Sequence, residues 1–351
     1  MRTANALLSL GLILGATPLA HAEAKPLRVV AATTDLASIA KSIGGASVDV
    51  SVIVAANQDA HFIEAKPSLM IRLRDADLFV VVGMELGIGW EEPLLRGSRN
   101  AKVQPGQPGY LDVSTDVLKL DVPTGTIDRS QGDVHAFGNP HYWLDPWNAR
   151  QVAASIARRL TELAPGDAPT FASHLDAFRQ RLDTAMFGEP LVQALGGDAL
   201  WTAELGGGVA RTLPRLAATH PGLPALGGWA ATMAPFADQS VITYHRSWSY
   251  FLNRFGLVLL GQVEPVPGIP PTPSHVLDLI QRGKAARVRV VLAEPWYSAE
   301  APELVARKLE ASLLRLALST GGNGEGDDYI AHVSHVGGAI AGALAGSAAG
   351  G

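Results

Sequence analysis

The sequence predicts an α/β protein of two lobes, each a mostly parallel sheet flanked by helices, with a long rigid backbone helix joining them. Three observations predict it. Short β-branched runs recur in two separate sets, helical stretches alternate with the runs inside each set, and one long amphipathic stretch lies between the sets. The length agrees, because 351 residues suggest two domains at about 150 residues each. A composition of 47% hydrophobic and 17% charged residues, with 37 Gly and 23 Pro, excludes wholesale disorder, a collagen repeat or a coiled coil.

Residues 1–22 read as a signal peptide. Arg2 gives a short positive start, residues 6–20 are apolar, and Ala20-His21-Ala22 is an A-x-A cleavage pattern before Glu23. A membrane anchor is disfavoured, because the apolar run is short and broken by Gly11, Gly15 and Pro18. The mature chain is therefore expected to be exported and soluble, with the periplasm as its compartment. Residues 23–165 are assigned to the first lobe, with buried strands over 27–32, 48–54 and 78–83 and helices over 36–43 and 67–75. Residues 166–187 form the connecting helix, since Phe171, Leu175, Phe178, Leu182 and Met186 recur at helical spacing and make one apolar face. A helix at this place limits interlobe swing more than a Gly/Ser linker does. Residues 188–351 form the second lobe, with strands over 241–244, 258–263 and 288–293 and helices over 248–255 and 274–283. Three stretches resist regular structure: 97–131 reads as a long surface loop or irregular edge, 188–239 as short helices with Gly- and Pro-rich turns, and 321–328 as an acidic turn. The tail from Gly337 is most simply a final helix.

The chain has no Cys, which removes disulfides, thiol nucleophiles and Cys-ligated metals and leaves His and carboxylates as strong ligands. A formal charge of -5, with no basic run, argues against nucleic acid as a partner class. Three of the ten histidines stand out by position. His61 follows the strand over 48–54, His141 sits in a loop stiffened by Pro140 and Pro146 just before a helix, and His245 directly follows the strand over 241–244. Glu294 directly follows the strand over 288–293. Loops at the carboxyl ends of parallel strands are where open α/β sheets bind ligands, so all four share that address. No HExxH, DxDxDG or CxxC motif is present, so these groups can meet only through the fold. His135, with Asp133 nearby, is a candidate auxiliary or capture ligand; His174, His220, His275, His332 and His335 are read as solvated.

At these residues the chain resembles the metal-specific substrate-binding proteins of ABC importers, the periplasmic zinc and manganese receptors. The motifs that carry the resemblance are D-x-H-x-x-E-x-x-P at 59–67, N-P-H-x-W-L-x-P at 139–146, T-Y-H-x-S-W-x-Y-F at 243–251 and E-P-x-P-G-I-P-P-x-P at 264–273, with further matches at 80–89 and 293–297. The resemblance implies one divalent cation in the interlobe cleft, with His61 and His141 as first-lobe ligands and His245 as the first second-lobe ligand. It also implies an ABC importer permease in the inner membrane as partner, with a periplasmic metallochaperone as a further partner class, and a monomer.

The fourth ligand departs from the family pattern. Many relatives carry an Asp just after the last strand of the second lobe, but residues 313–320 here contain no carboxylate. Glu294, a water, or an inward-folded Asp327-Asp328 turn could fill the place. Glu294 is the economical replacement, because the other acidic residue following a second-lobe strand, Glu264, lies in a Pro-rich element that the family does not use for ligands. Three imidazoles and a carboxylate favour Zn2+ over Mn2+. Four protein ligands would close a tetrahedral shell, which stores a metal and does not catalyse. With water as fourth ligand the alternative is an exported zinc-dependent hydrolase, for which Asp59 and Glu64 are the candidate bases.

Overall fold

The structure, a computed structural model, describes residues 25–125, 135–266 and 268–346. The expected signal peptide, residues 1–22, lies outside them. Two four-stranded sheets carry the fold. In the first, β1 (Leu27–Ala31), β2 (Val48–Val52), β3 (Leu78–Val81) and β4 (Tyr110–Asp112) lie in the order β2-β1-β3-β4. In the second, β5 (Ser240–Thr243), β6 (Val258–Gln262), β7 (Val290–Ala293) and β8 (Ser312–Arg315) lie in the order β6-β5-β7-β8. Every pairing is parallel, so both sheets have one topology and place all their carboxyl ends at one edge.

Crossover helices supply the parallel connections: α1 (Thr34–Gly44), α2 (Pro67–Arg74) and α3 (Glu91–Ser98) in the first lobe. Two long helices follow, α4 (Pro146–Leu163) and α5 (Ala168–Phe187), then the short helices α6 (Glu189–Leu195), α7 (Gly197–Leu205), α8 (Val209–Thr219) and α9 (Gly228–Met233). The second lobe adds α10 (Ser249–Arg254), α11 (Pro273–Ala285), α12 (Glu300–Leu309) and α13 (Tyr329–Leu344). Helix α5 is the long connecting helix, and its stripe of Phe171, Phe178, Leu182 and Met186 is fully buried while Leu175 is half-buried. Among the described residues no helix is long and apolar enough to cross a membrane.

Strand alternation decides which apolar residues meet. Val241, Val290 and Leu292 point into a core continuous with the first sheet, whereas Ile242, Val291 and Ala293 point into a second core under α11 and α12. One face of the second sheet therefore shares its apolar interior with the first lobe. Two strands correct the sequence reading. The stretch read as a loop or edge over 97–131 contains β4, a three-residue strand too short to show alternation, and residues 126–131 lie outside the described residues. Part of the stretch taken to follow the last strand, 313–320, is itself strand β8.

Candidate metal centre

The three histidines come from three different loops: His61 from the turn after β2, His141 from the loop that leads into α4, and His245 from the segment just past β5. His61 lies on the turn after β2, anchored where the Trp90 indole donates to the Ala60 carbonyl at 2.8 Å. His141 lies in a loop entered through Gly138, whose φ of +109° and 2.9 Å clearance from the Leu120 carbonyl leave no room for a Cβ. That loop ends at the start of α4, where the Asp145 side chain caps Trp147 N and Pro146 fills the first turn. Asp145 is fully buried and grips Arg254 of α10 with both oxygens, at 2.7 and 2.9 Å, which fastens the His141 loop to the second lobe. His245 lies two residues beyond β5, its carbonyl taking a 2.7 Å bond from the Thr243 hydroxyl.

One ring nitrogen from each of His61, His141 and His245 lies within 4.8 Å of the other two. Ring centroids are 5.1 Å apart for His61 and His141, 5.7 Å for His61 and His245, and 5.8 Å for His141 and His245. Each Nδ1 is held by an oxygen: Asp59 Oδ1 at 2.8 Å for His61, Asn139 Oδ1 at 2.8 Å for His141, and Glu264 Oε2 at 2.7 Å for His245. Such partners fix ring orientation and tautomer and raise the basicity of the other nitrogen. Burial, reinforced by the neighbouring His61, His245 and His135, pushes His141 well below the usual imidazole range and keeps it neutral. Burial also works against charge on His245, but Glu264, Glu294 and Asp59 outweigh it and raise its pKa. For Asp59 the bonds from His61 overcome burial and lower the carboxyl.

Glu294 directly follows β7 and is fully buried, but it lies outside the group of mutually close donor atoms formed by the three histidines. Neither of its oxygens receives a hydrogen bond of normal geometry. Burial pushes its carboxyl up to about 7, against the pull of His245 and a nearby Ser247. His135 is 8% exposed and its ring centroid sits 5.3 Å from that of His61, so it borders the site; Asp133 lies outside the described residues.

Other expectations are corrected. Asp327 pairs with Lys41, and Asp328 caps α13 and pairs with Arg181, so that turn is engaged away from the histidines. His332, read as solvated, is fully buried between Glu325 at 2.5 Å and the Leu318 carbonyl at 3.0 Å. His174 and His275 are half-buried, bonded to the Ile43 and Gln262 carbonyls. Of the candidate bases, Asp59 is taken up by His61 and the Tyr297 hydroxyl, and Glu64 is an exposed partner of Lys66. Sequence reasoning missed the ring-holding roles of Asn139 and Glu264; the N-P-H spacing, which parallels D-x-H at Asp59, could have signalled Asn139, whereas Glu264 stands 19 residues from the ring it holds.

The family described as "ZnuA: Zinc-uptake complex component A periplasmic" matches residues 29–186 and 225–343. The metal ABC transporter substrate-binding lipoprotein SsaB of Streptococcus sanguinis is 29% identical over 164 residues, covering 46% of this chain and 50% of that protein. The manganese ABC transporter substrate-binding lipoprotein PsaA of Streptococcus mitis is 29% identical over 164 residues, with the same coverage of 46% and 50%. The chain thus spans about half the length of the curated relatives it matches. A crystal structure of ZnuA superposes with a TM-score of 0.65 at 22% identity over 91% of this chain and 100% of that one, which shows a common fold. With the family pattern spanning both sheets and the loops that carry His61, His141 and His245, the chain belongs to the family described as the periplasmic zinc-uptake complex component A, ZnuA.

Proposed function

We propose that the protein captures one divalent transition metal, Zn2+ ahead of Mn2+, outside the cytoplasm and delivers it to an ABC importer permease in the inner membrane. The observation that carries this reading is the convergence of three buried imidazoles, each with Nδ1 bound to an oxygen. Nε2 of His61, His141 and His245 are the ligand atoms. A tetrahedral zinc with Zn–N of about 2.0–2.1 Å needs nitrogens roughly 3.3–3.4 Å apart, so donors within 4.8 Å require only a small contraction. Three imidazoles favour zinc over manganese, which prefers more oxygen. Glu294 supplies the fourth ligand, supported by its complete burial without a satisfied oxygen, a state that a cation relieves. The hydrolase alternative loses support because Asp59 and Glu64 are both committed elsewhere.

The test is elemental analysis of protein purified without chelator, followed by competition between zinc and manganese. One zinc per chain that a large excess of manganese fails to displace is the expected result. Metal-free protein that takes up neither ion on titration refutes the reading.

A further inference from the structure

The residues that hold the two first-lobe histidines stand in the same place, two positions before the ring, and make the same contacts. Asp59 Oδ1 accepts from His61 N at 3.0 Å and from its ring at 2.8 Å; Asn139 Oδ1 accepts from His141 N at 3.0 Å and from its ring at 2.8 Å. For this task a carboxylate is the stronger acceptor. The difference lies in what the second side-chain atom must do. Asp59 Oδ2 accepts from the Tyr297 hydroxyl of the second lobe at 3.2 Å. Asn139 Nδ2 donates to the Arg246 carbonyl at 2.8 Å, one residue past His245, and to Asp121 Oδ2 at 3.0 Å. The Asn139 backbone is engaged as well, its carbonyl by the Tyr250 hydroxyl at 2.9 Å and its N–H by the Leu120 carbonyl at 2.9 Å.

Asn139 is buried with every polar atom used. A backbone carbonyl can only accept, so this position requires a donor. A tyrosine hydroxyl can donate or accept, so position 59 does not discriminate. We propose that Asn139 is a positioning residue that couples His141 of one lobe to the His245 loop of the other, with Asp59 and Tyr297 as a second and looser bridge. The orientation of the first-lobe ligands and the docking of the second-lobe ligand loop are then one event. The proposal rests on the reading of these histidines as the metal site.

Asn139→Asp keeps the oxygen that holds His141 and turns the other atom into an acceptor facing the Arg246 carbonyl and the Asp121 carboxylate. Asp59→Asn keeps the corresponding oxygen, and the Tyr297 hydroxyl can reverse. Two readouts are measured on the full chain: the rate of zinc dissociation into a chelator, and amide hydrogen exchange over residues 246–250 with and without zinc. Expected are at least tenfold faster dissociation and at least tenfold faster exchange in Asn139→Asp, with exchange over 246–250 changed less than twofold in Asp59→Asn. Asp121→Asn added to Asn139→Asp should recover part of both effects, because an amide at position 121 can donate to the new carboxylate, and asparagine tolerates the φ of +54° found there. If Asn139→Asp does not fold, the double variant carries the test, with intermediate rates expected. Wild-type rates in either, or equal exchange in Asn139→Asp and Asp59→Asn, overturn the proposal. Should the wild type bind no zinc, the functional reading fails, while exchange in the metal-free variants still decides the link.

Discussion

Glu264→Gln isolates the contribution of a group that touches no metal. The Glu264 carboxylate accepts two bonds, one from His245 Nδ1 at 2.7 Å and one from Gly268 N at 2.6 Å, one on each oxygen. Gln has a single acceptor oxygen, so at one of the two contacts the amide nitrogen, a donor, must take the acceptor's place. If the amide nitrogen faces His245, the imidazole is driven to the tautomer with its proton on Nε2, which cannot ligate. If it faces Gly268, the ring keeps its tautomer but loses a carboxylate that raises its basicity. Both partners are almost fully buried, His245 at 7% and Glu264 at 6% side-chain exposure, so solvent cannot repair either choice. Loss of such a partner lowers metal affinity by about 10- to 100-fold, or roughly 1.4–2.7 kcal/mol. Competition with a chelator of known zinc affinity measures it, alongside thermal unfolding of the metal-free protein. A folded variant with wild-type zinc affinity would falsify the argument that Glu264 sets the state of His245.

His61, His141 and His245 each replaced by Ala should weaken zinc binding by well over tenfold, given a binding energy on the order of 10 kcal/mol in structural zinc sites; unchanged affinity in two of the three removes the assigned site. Two apolar cores of this size should keep the metal-free protein folded, so zinc at about a thousandfold over its dissociation constant should add roughly 4 kcal/mol to unfolding by linkage, and a melting midpoint indifferent to zinc in metal-free protein contradicts this. Glu294→Gln should move two quantities in opposite directions: metal-free stability holds or rises because a buried carboxyl pushed up to about 7 is neutralised, while zinc affinity falls at least tenfold. Equal affinity in that variant, read by the same chelator competition, shows that Glu294 is not a ligand. Burial opposes charge on Glu325, but the bond from His332 and the backbone N–H groups outweigh it and hold its carboxyl at about 2, below the ordinary 4.5. That stabilisation is complete above pH 4.5 and is lost as the pH falls towards 2, so Glu325→Gln should flatten the acid limb of melting temperature against pH, and an unchanged limb counts against it.

The central strands were legible because their composition allows little else. Leu27-Arg28-Val29-Val30-Ala31 and Leu78-Phe79-Val80-Val81 are short apolar runs between turn residues, and a parallel sheet buried on both faces needs such runs. β4 was not legible because Tyr110-Leu111-Asp112 contributes three residues at a sheet edge, too few for a period. α5 was legible because a shared apolar interior demands one continuous stripe, and Phe171, Phe178, Leu182 and Met186 supply it. His332 was misread because no local pattern distinguishes a buried imidazole from an exposed one. Its burial depends on Glu325 from the preceding turn and on the Leu318 carbonyl, partners that only the tertiary path brings close.

The same distinction divides the candidate site. Candidate positions follow from topology, since a residue just past the carboxyl end of a parallel strand is delivered to that edge of the sheet whatever its neighbours are, and that places His245 and Glu294. Whether a residue at that edge becomes a ligand depends on convergence at the scale of an ångström, set by partners remote in the chain. His245 meets the other two rings because Glu264, from the next strand's end, holds its Nδ1, and because Arg254 and Asp145 fasten the two loops together. Glu294 shares the strand-end address, yet its environment is built from burial and from the charge of His245, with no partner that locks its oxygens. Sequence position alone gave these two residues equal standing. Their surroundings separate them: Glu264 holds the His245 ring in place, whereas the Glu294 carboxyl is buried with neither oxygen held by a hydrogen bond of normal geometry, which on the proposed function is the state a bound cation would change.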